Sequence, residues 1–280
     1  MNRKHKILVT GSTGFIGRNF ISATQDAFEF VPLKRENSDL SKRLRVSGLP
    51  KKVDCIIHLA HADKNSNPEE LFSVNVRSTF DLLEYGVKAG IRKFVFTSTG
   101  NVYGFHRGTV KESARLNPAE LYGATKAAAE TLCWNYRDHY DVAVLRIFTP
   151  YGPDQQHTRL IPSLIQKVIR GDPVFINNAL GSPITNPIFI TDLVEVIRRA
   201  VLHDGSLRVN VGGEDPYSVL ELAKLVEMHV GIPARYEYVQ NPAVGNNVGS
   251  IKLMKEILKY KPKVDLQYGL KKCIEQILSL

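Results

Sequence analysis

Two rhythms of apolar and polar positions alternate along the first half of this chain. Short, nearly unbroken apolar runs at 6–10, 29–34, 55–59, 93–98 and 142–148 read as buried strands. Longer stretches with helical spacing lie between them, notably 69–89 and 118–139. This alternation predicts an α/β fold, a Rossmann-type doubly wound parallel sheet with helices on both faces. Only residues 35–52 separate the second strand from Val53, so one strand or helix of the usual set is expected to be stunted there. After Gly152 the texture changes. Pro153, Pro162, Gly171, Pro173, Gly181, Pro183 and Pro187 recur and the alternation stops. Residues 188–190 and 209–211 still read as buried strands, with a helix at 192–203 between them. The expected organisation is a first domain over 1–151, to which the chain returns at about 187–212. A smaller C-terminal α/β domain is expected from 152–186 and 213–280.

Composition narrows the setting. Hydrophobic content of 43% and charged content of 23% are ordinary for a globular protein. No apolar run approaches the roughly 18 residues of a membrane span. The basic start at 3–6 runs directly into a strand and a glycine turn, unlike a signal peptide. Cys55, Cys133 and Cys273 fall in segments that read as buried or helical, so a reducing cytoplasm is expected and a disulfide framework is not. The net charge of +9 suits phosphorylated ligands. The basic clusters at 3–6, 42–45 and 259–263 are short, scattered and without aromatic platforms, so no nucleic-acid partner is expected. No metal site is expected either.

Three places carry candidate chemistry. The run Ile7-Leu8-Val9-Thr10 leads into Gly11, Gly14 and Gly17, followed by an apolar helix with Phe15, Ile16, Phe20 and Ile21. Strand, tight turn and helix in this order cradle a dinucleotide pyrophosphate; the alternative is a glycine turn that holds nothing. At the end of the second strand, where an acidic residue would read a ribose 2′-OH, stand Lys34 and Arg35. Cations there suit a 2′-phosphate and favour NADP over NAD, which stays possible. Further on, Tyr122 and Lys126 lie four apart on one helix face, behind an Asn117-Pro118-Ala119-Glu120 start that reads as a capped first turn. An ammonium one turn away lowers a phenol's pKa of about 10 and makes it a proton donor. Finally, the strand 93–98 ends in the hydroxyls of Thr97, Ser98 and Thr99, at the sheet edge where such folds place ligands.

Together these residues resemble the extended short-chain dehydrogenase/reductase family, the NAD-dependent epimerase/dehydratase group acting mostly on nucleotide sugars. The segments are Thr10-Gly11-Ser12-Thr13-Gly14-Phe15-Ile16-Gly17, Ile57-His58-Leu59-Ala60, Asn75-Val76, Tyr122-Gly123-Ala124-Thr125-Lys126 and Leu145-Arg146-Ile147-Phe148. Lys259-Tyr260-Lys261-Pro262-Lys263 and Tyr268-Gly269-Leu270 extend the likeness to the C-terminus. The resemblance implies catalysis by Thr99, Tyr122 and Lys126. It implies a cofactor site from Gly11, Thr13, Gly14, Phe15, Ile16, Gly17, Lys34, Arg35, Asp39, Leu40, Leu59, Ala60, His61, Asn75, Tyr122, Lys126 and Phe148.

Departures from the family pattern narrow the activity. Gly100 and Asn101 replace the acidic pair of the dehydratases, and Asn101 stands where the epimerizing reductases carry cysteine. What remains is keto-reduction, alcohol oxidation or 4-epimerization. Reduction of a 4-keto sugar or nucleotide sugar with exchangeable NADPH is the expected activity. A nucleotide-sugar 4-epimerase with retained NAD is the alternative, and a non-catalytic NADP-sensing or scaffold protein is the alternative of another class. The family asparagine that contacts the nucleotide sugar is replaced by Thr149. Its phosphate-binding arginine aligns with Thr185, and its late aspartate with Ser250; Arg159 or Arg235 could restore the charge. The resemblance also implies a homodimer through the helix carrying Ala124, Ala127, Ala128 and Ala129, paired with 69–89. Leu132, Trp134 and Tyr136 are the expected anchors.

Overall fold

The computed structural model describes residues 4–36, 38–177, 183–240 and 245–279. Arg3 and Gly181, read above as part of a basic cluster and of the proline–glycine texture, lie outside them. The chain divides into two compact units. The first comprises Met1–Gly104, Ala114–Arg146 and Val194–Val209, and the second Phe105–Ser113, Ile147–Leu193 and Asn210–Leu280. In chain order the main elements of the first are β1 (His5–Thr10), α1 (Phe15–Thr24), β2 (Phe28–Leu33), β3 (Cys55–His58), α2 (Pro68–Phe72), α3 (Ser78–Ala89), β4 (Lys93–Thr99), α4 (Leu121–Asn135) and β5 (Asp141–Ile147).

The α/β sheet expected from the alternation is present, with six strands. Leu207–Val211 lies at one edge, followed by β5, β4, β3, β1 and β2. β1 pairs in parallel with both β2 and β3, so the chain leaves β1 in one direction and later returns to its other side. Ligands of open α/β sheets bind at this reversal. The period of two along β1 sends Ile7 and Val9 to one face and Leu8 to the other, and all three are fully buried. On the second face Leu8 joins Ile56, Leu82, Leu83, Phe94, Phe96, Ala129, Cys133, Val142 and Val144 in one core. Full burial of each large apolar side chain contributes about 1.5–3 kcal/mol. On the opposite side of β2, Phe20 of α1 meets Phe28 and Phe30 with ring centroids 6.3 and 5.7 Å apart.

The stunted passage is also present. Among the described residues between β2 and β3 there is only a 3₁₀ turn at Val46–Gly48, and β2 is left as the sheet's edge. Helix α3 holds this passage down. The Leu44 N–H donates to the Asp81 carboxylate at 3.0 Å, and the Tyr85 hydroxyl donates to the Pro50 carbonyl at 2.6 Å. A cavity of about 550 Å³ remains beneath it, lined by Leu8, Val31, Leu33, Arg45 and Leu49 among others.

Two helices depart from expectation. The expected helix at 69–89 is α2 and α3 joined through a wider π turn at Ser73–Arg77, with helical backbone at both junctions. The helix expected from Pro118 begins at Leu121, with Glu120 at its cap and no side-chain capping bond. Tertiary contact overrides the local signal. The Asn117 N–H donates to the Val102 carbonyl at 3.0 Å, which holds 117–118 against the turn after β4 instead of in a helix.

In the second unit, the helices Leu160–Arg170, Val219–Val230 and Leu266–Leu278 pack on one another. A capping box between Ser218 and Glu221 starts the middle one. The Asp192 carboxylate accepts from the Tyr260 hydroxyl at 2.6 Å and from the Lys263 and Val264 N–H groups, both at 3.0 Å. No helix among the described residues is long and apolar enough to cross a membrane.

Candidate active site

At the end of β1 the backbone turns through Gly11 at φ +67°, where a side chain would be strained. A Cβ on Gly17 would lie 2.2 Å from the Gly11 carbonyl oxygen, so only glycine lets α1 start this close to the turn. Gly14 caps α1 without any side-chain bond to its first N–H groups. The Ser12 hydroxyl is buried without a hydrogen-bond partner among the described residues. Open amides at a helix start, beside an unsatisfied hydroxyl and no side chain, fit a pyrophosphate. Thr13 is exposed here, and Phe15 and Ile16 are half-buried. Lys34 and Arg35 follow β2 and are both exposed, as a 2′-phosphate reader requires. Asp39 accepts from the N–H and hydroxyl of Ser41, at 3.0 and 2.7 Å. Those bonds, with Arg35 and Lys42 nearby, hold its carboxyl below the usual range. Leu40 packs against the core.

A chain of hydrogen bonds ties this turn to the helix of the tyrosine and lysine. The Ala60 N–H donates to Thr10 Oγ1 at 3.2 Å, and Thr10 Oγ1 lies 2.6 Å from His58 Nδ1. His58 Nε2 lies 3.0 Å from Thr79 Oγ1, which donates at 2.7 Å to the Asn75 carbonyl. The Thr79 proton being committed, His58 Nε2–H must donate to it, and Nδ1 must accept from Thr10. Asn75, in the π turn, accepts from the Ala62 N–H at 2.9 Å and donates through Nδ2 to Thr125 Oγ1 at 3.0 Å. Thr125 then donates to the Tyr122 carbonyl at 2.9 Å. Every proton in the series has one direction, and no member carries charge. Burial holds His58 well below its ordinary 6.5, with the Lys126 cation pushing the same way.

The catalytic candidates meet at the end of β4. A Cβ on Gly123 would lie 2.7 Å from the Asn101 carbonyl oxygen, so the first turn of α4 rests on the turn that follows Thr99. Thr99 Oγ1 accepts from the Asn101 N–H at 3.2 Å. The Tyr122 ring is half-buried and its centroid lies 6.1 Å from that of His61, an exposed residue beyond β3. Lys126 is buried, with its ammonium 4.0 Å from the centroid of Phe96 on β4. Burial pushes Lys126 down to about 8, against the opposing influence of Cys133 and Glu130. Leu59 is buried and Ala60 half-buried in the same region.

Three buried residues absent from the candidate list complete this corner. Arg146 of β5 donates from Nε and Nη2 to the Glu130 carboxylate, at 3.0 and 2.7 Å, and from Nη1 to the Tyr103 hydroxyl at 2.7 Å. The readable signal for Glu130 was a carboxylate four residues after Lys126, on a face otherwise occupied by Ala129 and Cys133. For Arg146 it was a lone charge inside an apolar strand.

The remaining candidates lie in the second unit. Phe148 is fully buried against Gly249, so its side chain does not reach a surface. Thr149 adopts φ +40°, strained for a β-branched residue. Its hydroxyl lies 2.5 Å from that of Thr185, so two of the departing positions form one uncharged pair. Ser250 is half-buried, and its N–H donates to the Val110 carbonyl at 2.7 Å. Arg159 is half-buried at the start of Leu160–Arg170, and Arg235 is paired with Glu237 at 2.7 Å. Leu132, Trp134 and Tyr136, the expected dimer anchors, are half-buried and pack against the chain's own core, and the Tyr136 hydroxyl donates to Glu84.

Known proteins resemble this chain along nearly its whole length. The model of the NAD dependent epimerase/dehydratase family matches residues 7–212. The low-salt glycan biosynthesis protein Agl12 of Haloferax volcanii is 30% identical over 98% of both chains. An uncharacterized UDP-glucose epimerase of Bacillus subtilis, YtcB, is also 30% identical over 98% of both. The Bacillus cereus UDP-glucuronic acid 4-epimerase, solved with UDP-glucuronic acid and NAD, superimposes with a TM-score of 0.83. That pair is 26% identical over 98% of this chain and 99% of the other.

The His58 series generates a prediction about acid stability. Its folded pKa is depressed, so its contribution is present above 6.5 and is lost as pH falls from there through the folded value. Thermal melts between pH 7.5 and 5 should show the unaltered chain losing Tm more steeply below 6.5 than His58→Gln does. Equal slopes would count against a neutral, buried His58.

Proposed function

The chain belongs to the NAD dependent epimerase/dehydratase family and is an enzyme, and on that premise we propose that it reduces a 4-keto sugar or nucleotide sugar by hydride transfer. The observation that carries this reading is that α4, which bears Tyr122 and Lys126, rests on the turn after Thr99 and is tied through Thr125, Asn75 and His58 to the glycine turn. The open amides at the start of α1 would hold the cofactor pyrophosphate, and Lys34 and Arg35 a 2′-phosphate. A nicotinamide cofactor bound there would supply the hydride that the carbonyl carbon takes up. Tyr122 gives its phenolic proton to the oxygen, completing the alcohol. Thr99, whose oxygen already accepts from Asn101, holds the same substrate oxygen with a hydrogen bond from its hydroxyl and keeps its proton. Lys126 would hold the nicotinamide ribose and would favour the phenolate that Tyr122 leaves behind. The first unit is the dinucleotide-binding domain in this reading, and the second binds substrate through Thr149 and Arg159. A sensor or scaffold would need the glycine turn but not the proton donor.

A second reading is 4-epimerization with retained NAD. It is supported by the B. cereus relative, an epimerase solved with NAD. Lys34 and Arg35 favour the first reading, because an enzyme that consumes reducing equivalents must exchange its cofactor. Calorimetric titration separates the two. NADP(H) should bind more tightly than NAD(H), and Lys34→Ala/Arg35→Ala should abolish the difference; equal affinities in the unaltered chain would leave epimerization ahead.

Replacing Tyr122 by phenylalanine keeps the ring and removes the proton. Turnover should fall by about 10²–10⁴-fold, the usual scale of general acid–base assistance. Unchanged turnover, measured as substrate-dependent loss of NADPH absorbance, would sink the assignment.

We also propose a homodimer, with α2, α3 and α4 forming the contact. Phe72, Phe80, Val87 and Leu121 are exposed apolar residues on these helices, and Ala128 is exposed among them. A two-fold interface meets each substitution twice. Ala128→Glu should therefore shift the chain toward monomer in light scattering at micromolar concentration, with its melt unchanged. A monomer already in the unaltered chain would refute the proposal.

A further inference from the structure

We propose that Glu130 is a positioning residue of this site: held by Arg146, its carboxylate is the counter-charge of the Lys126 ammonium and seats α4 against the end of β4. The inference rests on Lys126 serving the site as read above. Tyr122, Lys126 and Glu130 are spaced at i, i+4 and i+8, so they form one stripe along α4, and the latter two are buried. A cation buried this deeply is costly without a partner, and here the costs could easily drive Lys126 to its neutral form.

The charged and titratable groups around Lys126 can be taken element by element. On α4 itself are Tyr122, Glu130 and Cys133. The Cys133 thiol is pushed up by burial, chiefly, and so stays uncharged near neutral pH. His58, at the end of β3, is held neutral by burial. Phe96 of β4 offers only the face of its ring. Arg146 of β5 is cationic, and Arg208 of the edge strand is a second cation, placed 4.2 Å over the Trp134 ring. Among these groups the Glu130 carboxylate is the source of negative charge. Arg146 grips it with two nitrogens in the planar fork that guanidinium makes with carboxylate. The same guanidinium also holds Tyr103, in the turn that follows Thr99. Loss of the carboxylate would thus act on the charge of Lys126 and on the seating of the helix together.

A structural role alone would leave the titration of Lys126 where it is, which makes titration the test. In the full-length chain with ¹⁵N-labelled lysine side chains, the Lys126 signal is identified by its loss in Lys126→Arg and followed against pH by NMR. Glu130→Gln should move its midpoint down by about one pH unit, a tenfold loss of proton affinity. The alkaline limb of kcat should move with it. Circular dichroism reports whether the variant folds. If Glu130→Gln does not fold, Glu130→Asp, which keeps the charge but withdraws it, carries the test with a smaller downward shift. An unmoved midpoint in whichever variant folds would overturn the proposal. The readout needs no turnover. An unaltered chain inactive on every sugar tried would count against the proposed reaction while the titration still decides the role of Glu130.

Discussion

The site depends on one constraint: the buried polar side chains that link the glycine turn to α4 must be satisfied by one another and by the backbone, without charge. Thr10, His58, Thr79, Asn75 and Thr125 solve this with hydrogen bonds whose directions follow from one another. An unsatisfied donor or acceptor there would cost about 1–3 kcal/mol, so the series has few alternatives. Because its members come from β1, β3, the π turn, α3 and α4, satisfying them sets the spacing of five elements at once. The π turn is part of this solution. It turns Asn75 so that its backbone carbonyl takes Thr79 while its side chain spans Ala62 and Thr125.

Charge is handled differently on the other side of α4. Lys126 and Arg146 are both buried, and each is compensated by its own means. Lys126 lies on the face of Phe96 with a carboxylate one turn away; Arg146 makes a fork to Glu130 and a third bond to Tyr103. Removing one member of such a buried pair costs about 3–5 kcal/mol, more than most packing changes. Lys93 is a third buried cation, at the far end of β4, where it donates to the Gly205 carbonyl at 2.9 Å and lies 3.7 Å from Asp141. The three cations thus use three distinct remedies within one unit. The second unit contrasts with this. There the Thr149 and Thr185 hydroxyls satisfy each other and bring no charge.

Much of this was legible in the sequence where the physics is local. Apolar runs of five to seven residues cannot be amphipathic helices, and they marked β1, β3, β4 and β5 to within a residue or so. Gly11 and Gly17 were legible because glycine takes a positive φ without strain and alone leaves room for a carbonyl 2.2 Å from where a Cβ would lie. The short stretch 35–52 was legible as a stunted element, since about eighteen residues are few for a full helix–strand–helix excursion.

Signals that compete with distant contacts misled or were silent. The Asn117-Pro118 start is a sound cap by local rules, yet the Val102 carbonyl claims the Asn117 N–H and the helix waits until Leu121. The packing of Trp134 and Tyr136, half-buried against their own core, was likewise not marked by any local signal. The sequence by itself determined the alternation, the turn glycines, and the phenol and ammonium one helical turn apart, because each rests on geometry within a few residues. Tertiary structure alone decided that His58 is neutral with its proton on Nε2, that Glu130 faces Arg146, and that Thr149 pairs with Thr185. Those facts join residues 16 to 48 positions apart, and a hydrogen bond or a buried charge is set by what lies within a few ångströms, which spacing along the chain does not specify.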